Sequence, residues 1–363
     1  MQFLYQKFIQ SLPIEDNQSS DGNVYLFNKA ELLKLKQIYR QTLLYTAITG
    51  GCCIVSYYIP TYIFVSLFQT RIPITLFGFT FELGTYELLW CLIMTIIEIV
   101  ILTLIHLRMT HRISVISGLL NSKNKHEVLK DILKMGTGTK DKSIVNYGLN
   151  PIKDVSRLYL MAINALYIFK AFLSNQLLRL ILRQFIARYL FKYFLDLIGT
   201  PIYMFFNALN SHFVYGNIIS TIMGRQIISI YTKDLHSLEL NEAEKELIYD
   251  ALHLVVVSKK DFNYNHAALA KAILETLKIK AVKEHDFKEE DLKNLNKFSP
   301  AVQKLVFDIV VLGYVLDGKI SSREQKQIVV LNEKYGFDLK VDELLENSRN
   351  FMKGKGVDLV GIK

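Results

Sequence analysis

No aspartate, glutamate, lysine, arginine or histidine occurs between Gln41 and Thr70. A bilayer core needs about 20 such residues at 1.5 Å rise each. This gap in charge is long enough for a membrane span, and it excludes an ordinary solvated helix. Cysteine is scarce too. Cys52, Cys53 and Cys91 all sit inside apolar runs without C-x-x-C spacing, which excludes a disulfide framework and a thiolate metal site. There is no H-E-x-x-H, no G-x-S-x-G and no Cys–His pairing, so hydrolase templates receive no support. The basic loop Gly136 to Ser143 lacks the G-x-x-x-x-G-K-[ST] spacing and a preceding apolar strand, so a nucleotide site is not expected there. The first residues contain no h-region and no small-residue cleavage site, so no removable signal peptide is expected.

What is present is a second apolar run, Tyr86 to Leu107, interrupted only by Glu87, Glu98 and His106. A carboxylate at membrane depth costs on the order of 3 kcal/mol, so these three are the intramembrane polar candidates. The first run places Thr42, Thr46, Thr49, Cys53, Ser56 and Pro60 on one helical stripe, and the second places Glu87, Cys91, Thr95 and Glu98 likewise, with His106 at its edge. Small residues let membrane helices approach, and hydroxyls can bond across the contact. The stripes are therefore expected to form a packing seam, with a protonated Glu98 bonded to a hydroxyl. A proton or cation path through Glu87 and Glu98 is the sharper alternative.

Charge flanks set the orientation. Lys29, Lys34, Lys36 and Arg40 precede the first run, and Arg108, Arg112, Lys123 and Lys125 follow the second, whereas Arg71 to Gly84 has one Arg and one Glu. The positive-inside rule puts both outer flanks, and both termini, in the cytoplasm. The sequence around Gly78 alternates and suits a small β-hairpin or an interfacial loop. Asn28 and Glu31 have capping-box spacing, so the helix they start is expected to run straight into the first span.

The net charge of +9 is unevenly spread. Residues 233–363 carry 21 Lys/Arg against 22 Asp/Glu, and residues 1–232 carry 22 against 12. The excess lies with the membrane part, where it suits anionic lipid headgroups and argues against nucleic acid as a partner. Arg179, Arg183, Arg188 and Lys192 form a basic membrane-surface helix in this reading. Leu158 to Leu178 and Leu197 to Gly224 are either two further spans or a surface sub-bundle. Leu197 to Gly224 includes Asn207, Asn210, His212 and Asn217, which is polar for a lipid-facing helix; His212 is expected to be a hydrogen-bonded bundle residue.

The expected fold class is all-α. Residues 1–40 form a cytoplasmic N-terminal helix region, 41–107 a two-span hairpin and 108–153 a cytoplasmic connector with a short helix over His126 to Leu133. Residues 154–232 are membrane-embedded or interfacial basic helices, 233–350 a soluble helical domain and 351–363 a mobile tail. Within the soluble domain Leu247 to Leu254 aligns with Leu305 to Leu312 at an offset of 58, matching Asp250 to Asp308. Two helical halves sharing one core account for this. The second half contains Asp317-Gly-Lys-Ile-Ser-Ser-Arg-Glu324. Ser321 and Glu324 have capping-box spacing; alternatively Asp317 and Glu324 offer oxygen ligands to a divalent cation.

Val306 to Phe337, with Asp317-Gly318, Ile320-Ser321, Glu324, Leu331 and Tyr335-Gly336-Phe337, resembles the second half of a tellurite-resistance TerB-like domain. The resemblance covers roughly residues 236–345. It implies an all-helical domain of two similar halves and a D-G-x-[IV]-S-x-x-E turn linked to metal binding. The first half departs from the pattern, with Lys259 where an Asp falls in the family. Gly199 to Asn207 resembles a stretch of bacterial inner-membrane proteins that carry such a domain. The resemblance implies an integral inner-membrane protein and a non-enzymatic interaction or sensor role in envelope or metal stress, with a protein partner or homo-oligomer. The alternative is an oligomeric channel or transporter component using Glu98 and Glu87.

Overall fold

The computed structural model describes residues 2–13, 27–68, 71–76, 79–120, 142–151, 161, 192–236, 238–259, 263–282, 287, 292–316 and 318–354. Apart from one two-stranded hairpin the described chain is helical, as its composition implies. Helix α1 (Gln2–Ser11) is followed by α2 (Lys29–Ile63). The Asn28–Glu31 capping box forms with both reciprocal bonds, and α2 runs unbroken from the basic flank through the first apolar run. It stops at Ile63, before the end of the charge-free stretch, and a single turn, α3 (Val65–Phe68), follows. Strands β1 (Arg71–Leu76) and β2 (Phe79–Gly84) pair antiparallel, with Leu76 opposite Phe79 at the turn. The hairpin alternative is the one realised.

Helix α4 (Thr85–Ile116) returns, and it continues about two and a half turns past Leu107 into the stretch expected as connector. A 3-10 helix at Lys142–Tyr147 takes in Lys142 and Ser143, which were expected in a basic loop. The short helix expected over His126 to Leu133 lies outside the described residues. Helix α5 (Lys192–Leu235) has 44 residues, about 66 Å at 1.5 Å per residue. The C-terminal bundle holds α6 (Glu242–Lys259), α7 (Tyr264–Thr276), α8 (Pro300–Val315), α9 (Ser322–Tyr335) and α10 (Val341–Met352).

Two described helices, α2 and Leu89–Ile116 of α4, are long and apolar enough to cross a membrane. Only 39% and 22% of their most apolar stretches are buried. Leu44, Ile48, Val55 and Ile59 of α2, Leu89, Leu92, Ile96 and Ile99 of α4, and Ile202 and Phe205 of α5 face outward. These helices thus leave large apolar side chains uncovered by the rest of the described chain.

The offset of 58 organises the C-terminal bundle more fully than the aspartates alone imply. Helix α6 begins 58 residues before α8, and α7 begins 58 before α9. The N-terminal caps obey the same shift. Asn241 forms a box with Glu244 and corresponds to Ser299, while Asn263 corresponds to Ser321. Asp250 and Asp308 are both buried.

The apolar core does not stop at residue 233. One cluster joins Leu35 and Ile38 of α2, Met109 and Ile113 of α4, Ile222 and Ile227 of α5, and Leu252, Ile309 and Phe351 of the bundle. Connector residues Ile144 and Leu149 belong to it as well. The mobile tail expected from residue 351 needs correction over its first residues. Phe351 is fully buried, and the Gly354 carbonyl accepts from the Phe27 backbone N–H at 3.2 Å. The start of α2 is thus fastened to the end of α10.

Candidate functional site: a buried polar line across three helices

Helix α5 lies against both helices of the hairpin. Tyr39 of α2 contacts His212 and Tyr215, and Gly50 faces Tyr203 and Asn207, so α5 runs antiparallel to α2. Glu98 of α4 meets Asn207 and His106 meets Ser211, so α5 runs parallel to α4. The start of α5 therefore points towards the Ile63 end of α2. Lys192 opens the helix at that end, away from Lys34 to Arg40. Its side chain, and the whole of Arg179, Arg183 and Arg188, lie outside the described residues.

Glu98, Asn207, Ser211 and His106 are 4%, 5%, 0% and 5% exposed. Asn207 Nδ2 donates to Glu98 Oε1 at 2.8 Å, and Ser211 Oγ donates to the Asn207 carbonyl at 3.0 Å. Ser211 Oγ also shares a 2.9 Å hydrogen bond with His106 Nε2. These bonds link Glu98 and His106 of α4 through two residues of α5. Gly50 makes room for the central amide. A Cβ there would stand 2.6 Å from Asn207 Nδ2 and 3.2 Å from the Tyr203 carbonyl oxygen.

The seam differs from the expected one in a physical respect. Thr42, Thr46 and Thr49 do not bond across to α4. Their hydroxyls donate to the carbonyls of Ile38, Thr42 and Tyr45, four residues back in their own helix. A threonine in a helix can satisfy itself this way, and it is the amide of Asn207 that bonds Glu98 across the helices. Ser56 is exposed and takes no part in the buried seam. Cys53 and Tyr57 do pack on Cys91 and Met94. Glu87 lies in α4, but its side chain is outside the described residues. His212 is the hydrogen-bonded bundle residue expected, with Nδ1 2.9 Å from the Tyr39 hydroxyl.

The other end of α5 is held by an asparagine as well. Asn265 of α7 donates through Nδ2 to the Ser220 carbonyl at 2.9 Å and to the Leu316 carbonyl. Gly224 supplies the space, since a Cβ there would collide with the Asn265 amide. Nearby, burial pushes the Asp308 carboxyl up to about 6, with Lys304 acting in the opposite sense. Burial, then the charge of Asp308, holds the Tyr231 phenol well above its ordinary value.

At the Asp317 turn the capping alternative is built. The Ser321 N–H and Oγ both donate to Glu324 Oε2, at 2.6 and 2.7 Å, and the Glu324 N–H donates to Ser321 Oγ at 3.3 Å. Gly318 takes the left-handed conformation of the turn, at φ 73°. Asp317 and the Lys259 side chain lie outside the described residues. Among the described residues no group of three His, Cys, Asp or Glu is placed to hold a metal ion. No family model, no curated protein and no solved structure matches the chain.

Proposed function

We propose that this is a membrane-anchored, non-enzymatic coupling protein, in which α5 transmits the state of an intramembrane polar line to a cytoplasmic helical domain. One observation carries it. A single helix holds Asn207 and Ser211 in its first half and Ile222, Met223 and Ile227 of the C-terminal core in its second. A helix packed at both ends moves as a rigid element, so a change at Glu98 has a physical route to α7 and α8. The outward apolar faces of α2, α4 and α5 support a lipid setting, and the basic flanks support cytoplasmic termini.

The resemblance of Val306 to Phe337 to TerB-like domains supports a sensor or interaction role in envelope or metal stress. A divalent cation at Asp317 and Glu324 belongs to the same proposal. Calorimetry of the full chain with Ca²⁺, Mg²⁺ and Zn²⁺ tests it. Heat that disappears in Asp317→Ala supports the cation site; silence with all three removes it.

The coupling itself is tested by hydrogen exchange on the full chain in nanodiscs. Asn207→Leu is expected to lower protection in α7 and α8, which residue 207 does not touch. A change confined to α2, α4 and the first half of α5 would overturn the coupling. The buried line also favours a second reading, an oligomeric proton or cation path through Glu98. Liposome flux that is present in the wild type and lost in Glu98→Gln would establish that reading instead.

A further inference from the structure

The cleft between the end of α1, the start of α2 and the end of α4 has the chemistry of a headgroup site. Its volume is about 590 Å³, within the range of small-molecule pockets, ≈300–1,000 Å³. Lys34, Arg108 and Arg112 line it, and among the described residues no aspartate or glutamate does. Arg108 and Arg112 are one helical turn apart on α4. Arg112 Nη1 donates to Gln41 Oε1 at 2.8 Å, which fixes its guanidinium against α2 and leaves other N–H groups to donate. Tyr45 and Ile105 form the opposite, apolar part of the wall.

Depth selects the occupant. Gln41 and Leu107 are the ends of the two apolar runs, so the cleft sits where one leaflet's phosphates meet its acyl chains. Leu44 and Ile48 continue outward from it as exposed apolar side chains. We propose that this cleft binds one anionic phospholipid, its phosphate held by Arg108, Arg112 and Lys34 and its acyl chains laid along α2. This rests on the membrane setting proposed above. Charged N–H donors to a phosphate form strong, directional bonds, whereas a diffuse basic flank only concentrates anionic lipid near the surface.

Native mass spectrometry tests this, with the full chain released from nanodiscs that contain phosphatidylglycerol and phosphatidylethanolamine in equal amounts. The wild type is expected to retain one phosphatidylglycerol. Arg108→Ala/Arg112→Ala is expected to reduce that retention by about tenfold or more. Lys36→Ala/Arg40→Ala removes the same charge from α2 outside the cleft and is expected to retain the lipid. Equal loss in both double variants, or retention of phosphatidylethanolamine just as readily, would overturn the site. Displacement of the lipid by millimolar inorganic phosphate in detergent would show an anion pocket indifferent to acyl chains and would also overturn it. A chain that is soluble without detergent would instead remove the membrane setting, a distinguishable failure.

Discussion

Val255 and Gly313 occupy equivalent positions in the two halves of the C-terminal bundle, 58 residues apart, and pack directly on each other. A Cβ on residue 313 would stand 2.9 Å from the Val255 Cβ and closer still to its methyl groups. The point where α6 and α8 cross is therefore the point where the repeat maps onto itself. One half supplies the branched side chain and the other supplies the space, so the pair is asymmetric where the repeat is symmetric.

Gly313→Ala should consequently destabilise the bundle by about 1–3 kcal/mol through overpacking. Thermal melting followed by circular dichroism in detergent measures it. Val255→Ala combined with Gly313→Ala should recover part of the loss, because the methyl contacts are gone and only the 2.9 Å contact between the two Cβ atoms remains to be relaxed. An unchanged melting temperature in the single variant would contradict the close crossing.

Asn207→Leu should cost about 2 kcal/mol, since it withdraws the amide donor from a buried Glu98. Glu98→Gln retains an oxygen to accept from Asn207 and should change stability by less than about 1 kcal/mol. Melting of both variants in the same detergent compares them directly. Equal losses would mean that the carboxylate, and not its bond to Asn207, matters.

Much of the membrane part was legible because the absence of charge over Gln41 to Thr70 is a local pattern, as is the capping box at Asn28 and Glu31. The partner of Glu98 was not. Asn207 is 109 residues away, and nothing in either stretch records which helix faces meet. The polarity of Leu197 to Gly224 was the available signal, and it pointed to burial without naming the contact. The threonine stripe misled because an i−4 carbonyl satisfies a hydroxyl as well as a neighbouring helix does. The duplicate aspartates disclosed the repeat. The Val255–Gly313 crossing needed the packing.

Asp308 should make stability depend on pH. Its carboxyl titrates near 6 in the folded chain, raised by burial from an ordinary value of 3.8. Between those values the folded state holds a proton that the unfolded state has lost, so stability falls as pH rises through this window and levels off above about 6. Asp308→Asn removes the penalty and should stabilise the chain at pH 7 by on the order of 1 kcal/mol, after screening. Denaturant midpoints at pH 4 and pH 7 check the sign. The gain should be larger at pH 7, and an equal gain at both would contradict the assignment.

The most direct test of the whole account is light scattering of the purified full-length chain after size exclusion, with and without detergent. With the faces of α2, α4 and α5 in lipid, the chain should be monodisperse only in detergent and should aggregate on its removal. A stable, monodisperse species in plain buffer would contradict the account, because the exposed leucines, isoleucines and phenylalanines would then have to be covered by protein.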